Sequence, residues 1–337
     1  MHNTGLILDA ESINDLKTLS IKAENVGFHS VWATELYRTS FQQIASTAQN
    51  TTKIRLGTAV SLAFTRSPLI TALNSLDIDE LSNGRFILGL GTGAKYTNEN
   101  YHGIDYGKPV KRIKECVEII KHFIASSHKN KSFEYNGDYY QLNTKGYKRA
   151  FKPLRDNIDI YLAGIGTNMI RTSAEIADGY IGHVVCSYKY LEDIVIPALN
   201  KGFEISGKNK ENFKKCSIIT CAVSNNIEQA KKDVKATIGF YATVKTYKDP
   251  FILHGFENNL KEIRDAYFNN DIDKMTESVP DKMVDLFAIV GDKKYCLEKI
   301  EHYRKLIDLP ILSVPHYFID YKDVQQYQLR LIELFSQ

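Results

Sequence analysis

The chain reads as an α/β protein of the (β/α)8 barrel class, and three observations carry that expectation. Between Gly5 and Gly93, apolar runs of strand length alternate four times with segments of helical periodicity. After an irregular stretch the same rhythm resumes and continues to the last residues. About eight parallel strands within 337 residues, with no linker or shift in composition, suit one barrel of roughly 250 core residues plus insertions. A single domain over 1–337 is therefore expected, with insertions at about 129–157 and 246–283. A doubly wound sheet shares the rhythm, and Gly89-Leu90-Gly91-Thr92-Gly93 resembles a dinucleotide fingerprint. That motif belongs in the first βαβ unit and opens a helix, whereas here it closes the fourth and leads into the polar, weakly helical Ala94–Asn100.

In order along the chain, Gly5–Asp9 is a buried strand. Ser12 or Asn14 caps a helix with Ile13, Leu16, Leu19, Ala23 and Val26 at helical spacing, and Gly27 stops it. Ser30–Thr34 is the second strand, with Glu35 at its carboxyl end. The helix Phe41–Asn50 leads to the third strand, Ile54–Val60, and Pro68 opens the next helix, where its missing N–H costs nothing. Leu73, Leu76 and Leu81 continue that helix to the left-handed stop Asn83-Gly84, and the almost wholly apolar Arg85–Leu90 reads as a strand buried on both faces. Val110–Ile124 is an amphipathic helix, and Lys129–Asn157 is an irregular, aromatic-rich insertion at one end of the barrel. Ile158–Ala163 is the fifth strand, Gly179–Val185 the sixth and Cys216–Val223 the seventh. Helices span Tyr190–Ser206 and Ile227–Tyr241. Thr246–Met283 reads as short helical pieces broken by Pro250, Gly255 and Pro280. Leu286–Gly291 and Leu309–Val314 read as strands either side of a helix, Tyr295–Ile307.

Composition narrows the function. With 43 basic against 40 acidic residues the net charge is +3, so no global field favours nucleic acid. Five cysteines without close pairing point to free thiols in the cytoplasm, and none stands in a metal-binding spacing. The first nine residues lack the basic region and long apolar run of a secretory signal, and no segment reaches the roughly 20 apolar residues of a membrane span.

In a barrel the chemistry gathers at the carboxyl ends of the strands. The candidates there are Asp9 and Glu11, Glu35, Ser61–Thr65, Gly91–Thr97, Gly164–Met169 and His183–Cys186. Gly164-Ile165-Gly166-Thr167 sets bare backbone amides at a helix N-terminus, a ready site for a phosphate or a tight αβ turn. Glu35 either meets a ligand or caps the next helix, Glu11 is a first-turn acid or a mouth-facing carboxylate, and His183 faces substrate or is a satisfied strand-end residue.

These pieces resemble a known family. Gly27–Thr34, Leu56–Pro68, Asp79–Gly93, Tyr161–Met169, Ala177-Asp178-Gly179 and Ile289-Val290-Gly291 follow, in order, the pattern of the luciferase-like oxidoreductases. Within that superfamily of (β/α)8 barrels they are most similar to the branch using the deazaflavin coenzyme F420, the methylenetetrahydromethanopterin reductases especially. The resemblance implies a deazaflavin across the barrel mouth, its ring on Ala59, Val60 and Ser61, its phosphate on Gly164, Ile165, Gly166 and Thr167, with Met169, Gly93 and Thr97 nearby. It implies a cis peptide bond between Ala59 and Val60, Glu35 and His183 as the catalytic candidates, a small-molecule substrate, and a homodimer or homotetramer. Three positions depart from the family's pattern: Ile7 and Ala94 stand where the reductases carry acids, and Glu35-Leu36 replaces the Asp-His of relatives acting on sugar phosphates. The cofactor thus carries over more firmly than the substrate. An FMN-dependent monooxygenase on the same barrel is the alternative, and a flavin- or deazaflavin-binding protein without catalysis is a third reading.

Overall fold

The computed structural model describes residues 2–129 and 132–336. Eight parallel strands close into a barrel: β1 (His2–Ile7), β2 (Phe28–Ala33), β3 (Arg55–Thr58), β4 (Phe86–Gly91), β5 (Ile160–Ala163), β6 (Gly179–Gly182), β7 (Lys214–Val223) and β8 (Leu309–Ser313). Each pairs with the next, and β8 returns to β1 with Leu312 opposite Leu6, so no stave is left at an edge.

Alternation along the staves decides what fills the barrel. Ile7, Trp32, Ile87, Tyr161, Ile181 and Cys216 point inward and pack on one another, while Leu6, Val31, Phe86, Ile160 and Tyr180 point outward against the helices. Trp32, the only tryptophan, is wholly buried inside, and its indole N–H donates to Ser30 Oγ at 2.8 Å. A side chain at Gly57 would start 2.3 Å from its ring, so the glycine on the neighbouring stave makes the room.

The start of the third and fourth units follows the expectation. Pro68 stands in the first turn of the helix Pro68–Leu81 behind the cap Ser67, whose hydroxyl accepts from the Ile70 amide, and Asn83 and Gly84 both take the left-handed conformation that ends it. Other elements differ. The third strand does not run to Val60 but stops at Thr58, and Ser61–Leu62 pairs separately with β4. Between the pairs Gly57–Ile87 and Ser61–Leu90 the third strand carries one residue more than the fourth, a bulge at its carboxyl end. The peptide bond between Ala59 and Val60 is cis. Ala94–Asn100 is more helical than its composition suggests: Lys95–Asn100 forms a short helix because the buried Asn98 amide donates to the carbonyls of Thr92 and Ala94, each at 2.9 Å.

The strand expected over Leu286–Gly291 is shorter, Ala288–Gly291, because the helix Asp281–Phe287 takes its first residues. It is not a barrel stave. Among the described residues it pairs only with the last four residues of β7, which at ten residues is longer than the other staves. The helix before β7 also departs from regularity: Leu191–Val195 forms a π turn just ahead of Pro197, which has no N–H to keep the α ladder.

The first insertion holds a small antiparallel hairpin, Glu134–Asn136 with Gln141–Asn143. It is fixed by the buried Glu115 of the helix Pro109–Ser126, whose carboxylate accepts from the amides of Asp138, Tyr139 and Tyr140. The second insertion is a run of helices, Lys248–Ile252, Glu257–Phe268, Ile272–Glu277 and Asp281–Phe287. All five cysteines are buried free thiols. Among the described residues no helix is long and apolar enough to cross a membrane, and no group of His, Cys, Asp and Glu is arranged to hold a metal.

Candidate active site

A cavity of about 620 Å³ opens at the carboxyl ends of the staves. Its walls differ around the ring. On one side Ile7, Ala59, Val60, Ala163, Ile181 and Ile218 form an aliphatic floor, bounded by Gly91, Gly93 and the turn Gly164–Met169. On the other, His183, Tyr241, Tyr247, His316 and Tyr317 stand together, with Asp9 and Arg38 beside them.

The expected phosphate turn has the required form. Gly166 precedes the helix Thr167–Ile176, and its carbonyl accepts from the amides of Met169 and Ile170, which leaves those of Thr167 and Asn168 without a partner among the described residues. A side chain added at Gly166 would meet nothing within 4 Å, and the residue's φ of −70° is ordinary, so the position is open without being strained. Gly164 is small for a different reason, since a Cβ there would lie 2.6 Å from Met169 Cγ. Tyr190, on the helical turn Tyr188–Tyr190, braces the loop by donating to the Ile165 carbonyl at 2.9 Å.

The glycines that end β4 serve the barrel before any ligand. A Cβ at Gly89 would fall 1.7 Å from the Thr58 carbonyl oxygen, and one at Gly91 2.5 Å from Val60 Cγ2. They admit the third strand's carboxyl end and its bulge, and Val60 is thereby turned toward the cavity.

The remaining expected residues divide. Ala59, Val60, Gly93, Gly164, Ile165, Gly166, Thr167 and Met169 line the cavity, as do Glu35 and His183. Ser61 does not: it is buried, with its hydroxyl shared with Ser40. Thr97 is on the Lys95–Asn100 helix, outside the lining. Glu35 caps no helix. One of its oxygens accepts from the Leu62 amide at 2.8 Å and from Arg66 Nη1 at 2.9 Å, and the other pairs with Arg66 Nη2. Both oxygens are thus engaged in holding the segment after the bulge. Ser12, not Asn14, caps the first helix, and Glu11 is exposed, its backbone carbonyl accepting from Arg38.

His183 follows the last residue of β6, with its ring 4.4 Å from Tyr247 and 4.9 Å from Tyr241. Burial, with a smaller contribution from the charge of His316, lowers its pKa to about 3, so it is neutral at physiological pH. Sequence reading missed Tyr241, Tyr247, His316 and Tyr317. The last two were within reach, because Val314-Pro315-His316-Tyr317 directly follows an apolar strand, the place where barrel chemistry collects.

A closed parallel barrel with an aliphatic floor, an amide-lined turn after β5 and a bulge after β3 defines a (β/α)8 barrel with a ligand site at the carboxyl ends of its strands. The chain belongs to the luciferase-like monooxygenase family, whose model matches residues 1–308. It is 29% identical over 309 residues to the 5,10-methylenetetrahydromethanopterin reductase of Archaeoglobus fulgidus, covering 88% of this chain and 89% of that protein. A putative coenzyme F420-dependent oxidoreductase of Mycobacterium tuberculosis is 27% identical over 301 residues, covering 84% and 83%. Among solved structures, the coenzyme F420-dependent tetrahydromethanopterin reductase of Methanopyrus kandleri superposes with a TM-score of 0.83 over 99% of this chain and 97% of that one at 23% identity, a likeness of fold.

Proposed function

We propose that the chain is a coenzyme F420-dependent oxidoreductase, exchanging a hydride with a small substrate at the barrel mouth. The observation that carries this reading is the pairing, within one cavity, of an aliphatic floor at Ala59 and Val60 with open space and unpartnered amides at Gly166–Asn168. A flat tricyclic ring needs the first and a phosphate the second, so the residues present fit the deazaflavin. Ala59, Val60 and Gly93 would hold the ring; Gly164, Ile165, Gly166, Thr167 and Met169 would hold the phosphate end. When bound, the deazaflavin supplies two-electron hydride chemistry.

The chain's own residues do the rest. Glu35 is a positioning residue: its pairing with Arg66 and the Leu62 amide locks the segment that backs the floor. His183, held neutral among tyrosines, binds substrate as a hydrogen-bonding partner without charge. Ile7 supplies no acid, but Asp9, two residues on, puts a carboxylate into the same mouth, which weighs against a binding protein without catalysis.

Around this site the whole of 1–337 works as one domain with two insertions, and the protein acts in the cytoplasm as a homodimer or homotetramer. Five buried free thiols are in keeping with a reducing compartment. For assembly the support is the low charge of the helix stretches Phe41–Asn50 and Pro68–Leu76, on the second of which Ile70 is exposed. Sedimentation at micromolar concentration gives the mass of at least two chains if this holds; a monomer removes it.

Titrating the purified chain with F420 and, separately, with FMN tests the cofactor. Saturable quenching of F420 fluorescence with no response to FMN is the expected result. Saturable binding of FMN alone transfers the chain to the FMN-dependent monooxygenase reading.

A further inference from the structure

We propose that His316 is the proton-handling catalytic residue of this mouth, with Asp9 as the group that stabilises its charged form. The inference rests on the functional reading above, because it assumes hydride chemistry in this cavity, but it is built on features of the chain alone.

His316 stands three residues beyond the end of β8, and Asp9 two beyond the end of β1; these staves are neighbours, so both side chains reach the same part of the cavity. The ring's tautomer is determined by its surroundings. Nδ1 lies 3.0 Å from the Val314 carbonyl oxygen, which can only accept, so Nδ1 carries the hydrogen and Nε2 of the neutral ring is a bare lone pair. The backbone is fixed as well, with the His316 amide donating to Thr237 Oγ1 at 3.0 Å. Asp9 is likewise held, its Oδ1 accepting from the Tyr321 hydroxyl at 3.1 Å and its amide donating to the buried Gln328 at 3.2 Å.

The groups facing His316 from neighbouring elements leave it the best-placed base. Tyr241 and Tyr317 have their phenols pushed up by burial and are proton-bearing at physiological pH. His183, the other imidazole, is lowered by burial and, to a smaller extent, by the charge of His316, and its ring lies between Tyr241 and Tyr247. Burial lowers His316 also, but the Val314 carbonyl and the charge of Asp9 oppose it. It is His316, then, whose protonated ring has an accepting carbonyl and a carboxylate to stabilise it.

The step balances as follows. A substrate carbon bearing an O–H or N–H group loses a hydride to oxidised deazaflavin, the two-electron acceptor, and becomes doubly bonded to that heteroatom. The heteroatom's proton passes to His316 Nε2, giving an imidazolium beside Asp9. In reduction the same proton returns to the heteroatom as the hydride is delivered to carbon.

The test has two arms. In ¹⁵N-histidine-labelled protein without cofactor, with H316N and H183N to identify the signals, His316 is expected as the Nδ1–H tautomer. It should protonate at higher pH than His183, with a midpoint that D9N moves to lower pH. An Nε2–H tautomer, earlier protonation of His183, or no effect of D9N overturns the proposal. In the second arm, H316N should bind F420 within twofold of the natural chain. Its hydride transfer, followed by F420 absorbance with a panel of small secondary alcohols and amines, should fall by about 10² or more and lose the rise of kcat/KM with pH that a neutral base gives. An unchanged rate or profile also overturns it. Failure of the natural chain to bind F420 defeats the functional reading instead and leaves the result of the first arm standing.

Discussion

The two sides of the barrel mouth are built on opposite plans. Around β3, β4 and β5 the lining is mostly aliphatic or backbone, and the polar side chains there are engaged: Glu35 by Arg66 and the Leu62 N–H, and the Tyr106 hydroxyl by the Gly93 carbonyl. Past the ends of β6, β7, β8 and β1, whose Ile7, Ile181 and Ile218 belong to the floor, the lining is aromatic and titratable, with His183, His316, Tyr241, Tyr247, Tyr317 and Asp9 in one group. Small residues and amides recognise shape and a phosphate without taking part in proton traffic, whereas buried imidazoles and phenols have their pKa values set by burial and by one another. Under the proposed function the first surface would hold a group and the second would act on one.

The largest effect should come from forcing a side chain into the close approach on the holding side. G89V sets a Cβ 1.7 Å from the Thr58 carbonyl, so β3 and β4 must part, and a loss of at least about 3 kcal/mol in chemical denaturation is expected. A variant as stable as the natural chain would mean that the glycine serves no such contact.

The acting side should show itself in acid. His183 has a folded pKa of about 3 against an ordinary imidazole value of about 6.5, so the unfolded chain binds its proton first. Stability therefore falls as pH drops below about 6.5, by about 2 kcal/mol at pH 5, and H183Q should remove that part of the slope in urea titrations at the two pH values. An identical slope in H183Q would place the acid sensitivity elsewhere.

A smaller loss should follow E35A, which strands the Leu62 amide and the Arg66 guanidinium. With Arg66 partly solvated the cost is about 1–2 kcal/mol by thermal denaturation, and F420 affinity should fall with it. Stability lost with affinity intact would detach Glu35 from the floor. The smallest change in stability should be that of G166A, within about 0.5 kcal/mol, since the new methyl meets nothing and φ is ordinary. Its F420 affinity should nevertheless drop roughly tenfold, about 1.4 kcal/mol, because the methyl enters the space proposed for the phosphate. Unaltered fluorescence titration would move the phosphate off this turn.

Much of the scaffold was legible in the residues. Pro68 early in a helix, Asn83-Gly84 at its end and the apolar staves each act over a few neighbours, so local spacing reveals them. The glycine turn proposed for the phosphate was legible as a turn for the same reason, since Gly164–Thr167 carries its amides within itself. The weak helicity of Ala94–Asn100 misled because a buried Asn98, satisfied by two carbonyls, overrides composition.

By itself, then, the sequence determined the alternation of staves and helices and the short motifs at strand ends, both of them consequences of period and turn chemistry. Tertiary structure alone decided the rest. Eight of nine apolar runs close the ring and Ala288–Gly291 is left outside it, because β7 is long enough to pair with a third strand besides its two neighbours in the ring. Gly89 answers to Thr58, and Glu35 to Arg66, contacts of 31 residues' separation in each case. Asp9, His183 and His316 meet only because closure brings the ends of β1, β6 and β8 to one mouth, and a charge or a proton responds to distance in space, which no spacing along the chain records.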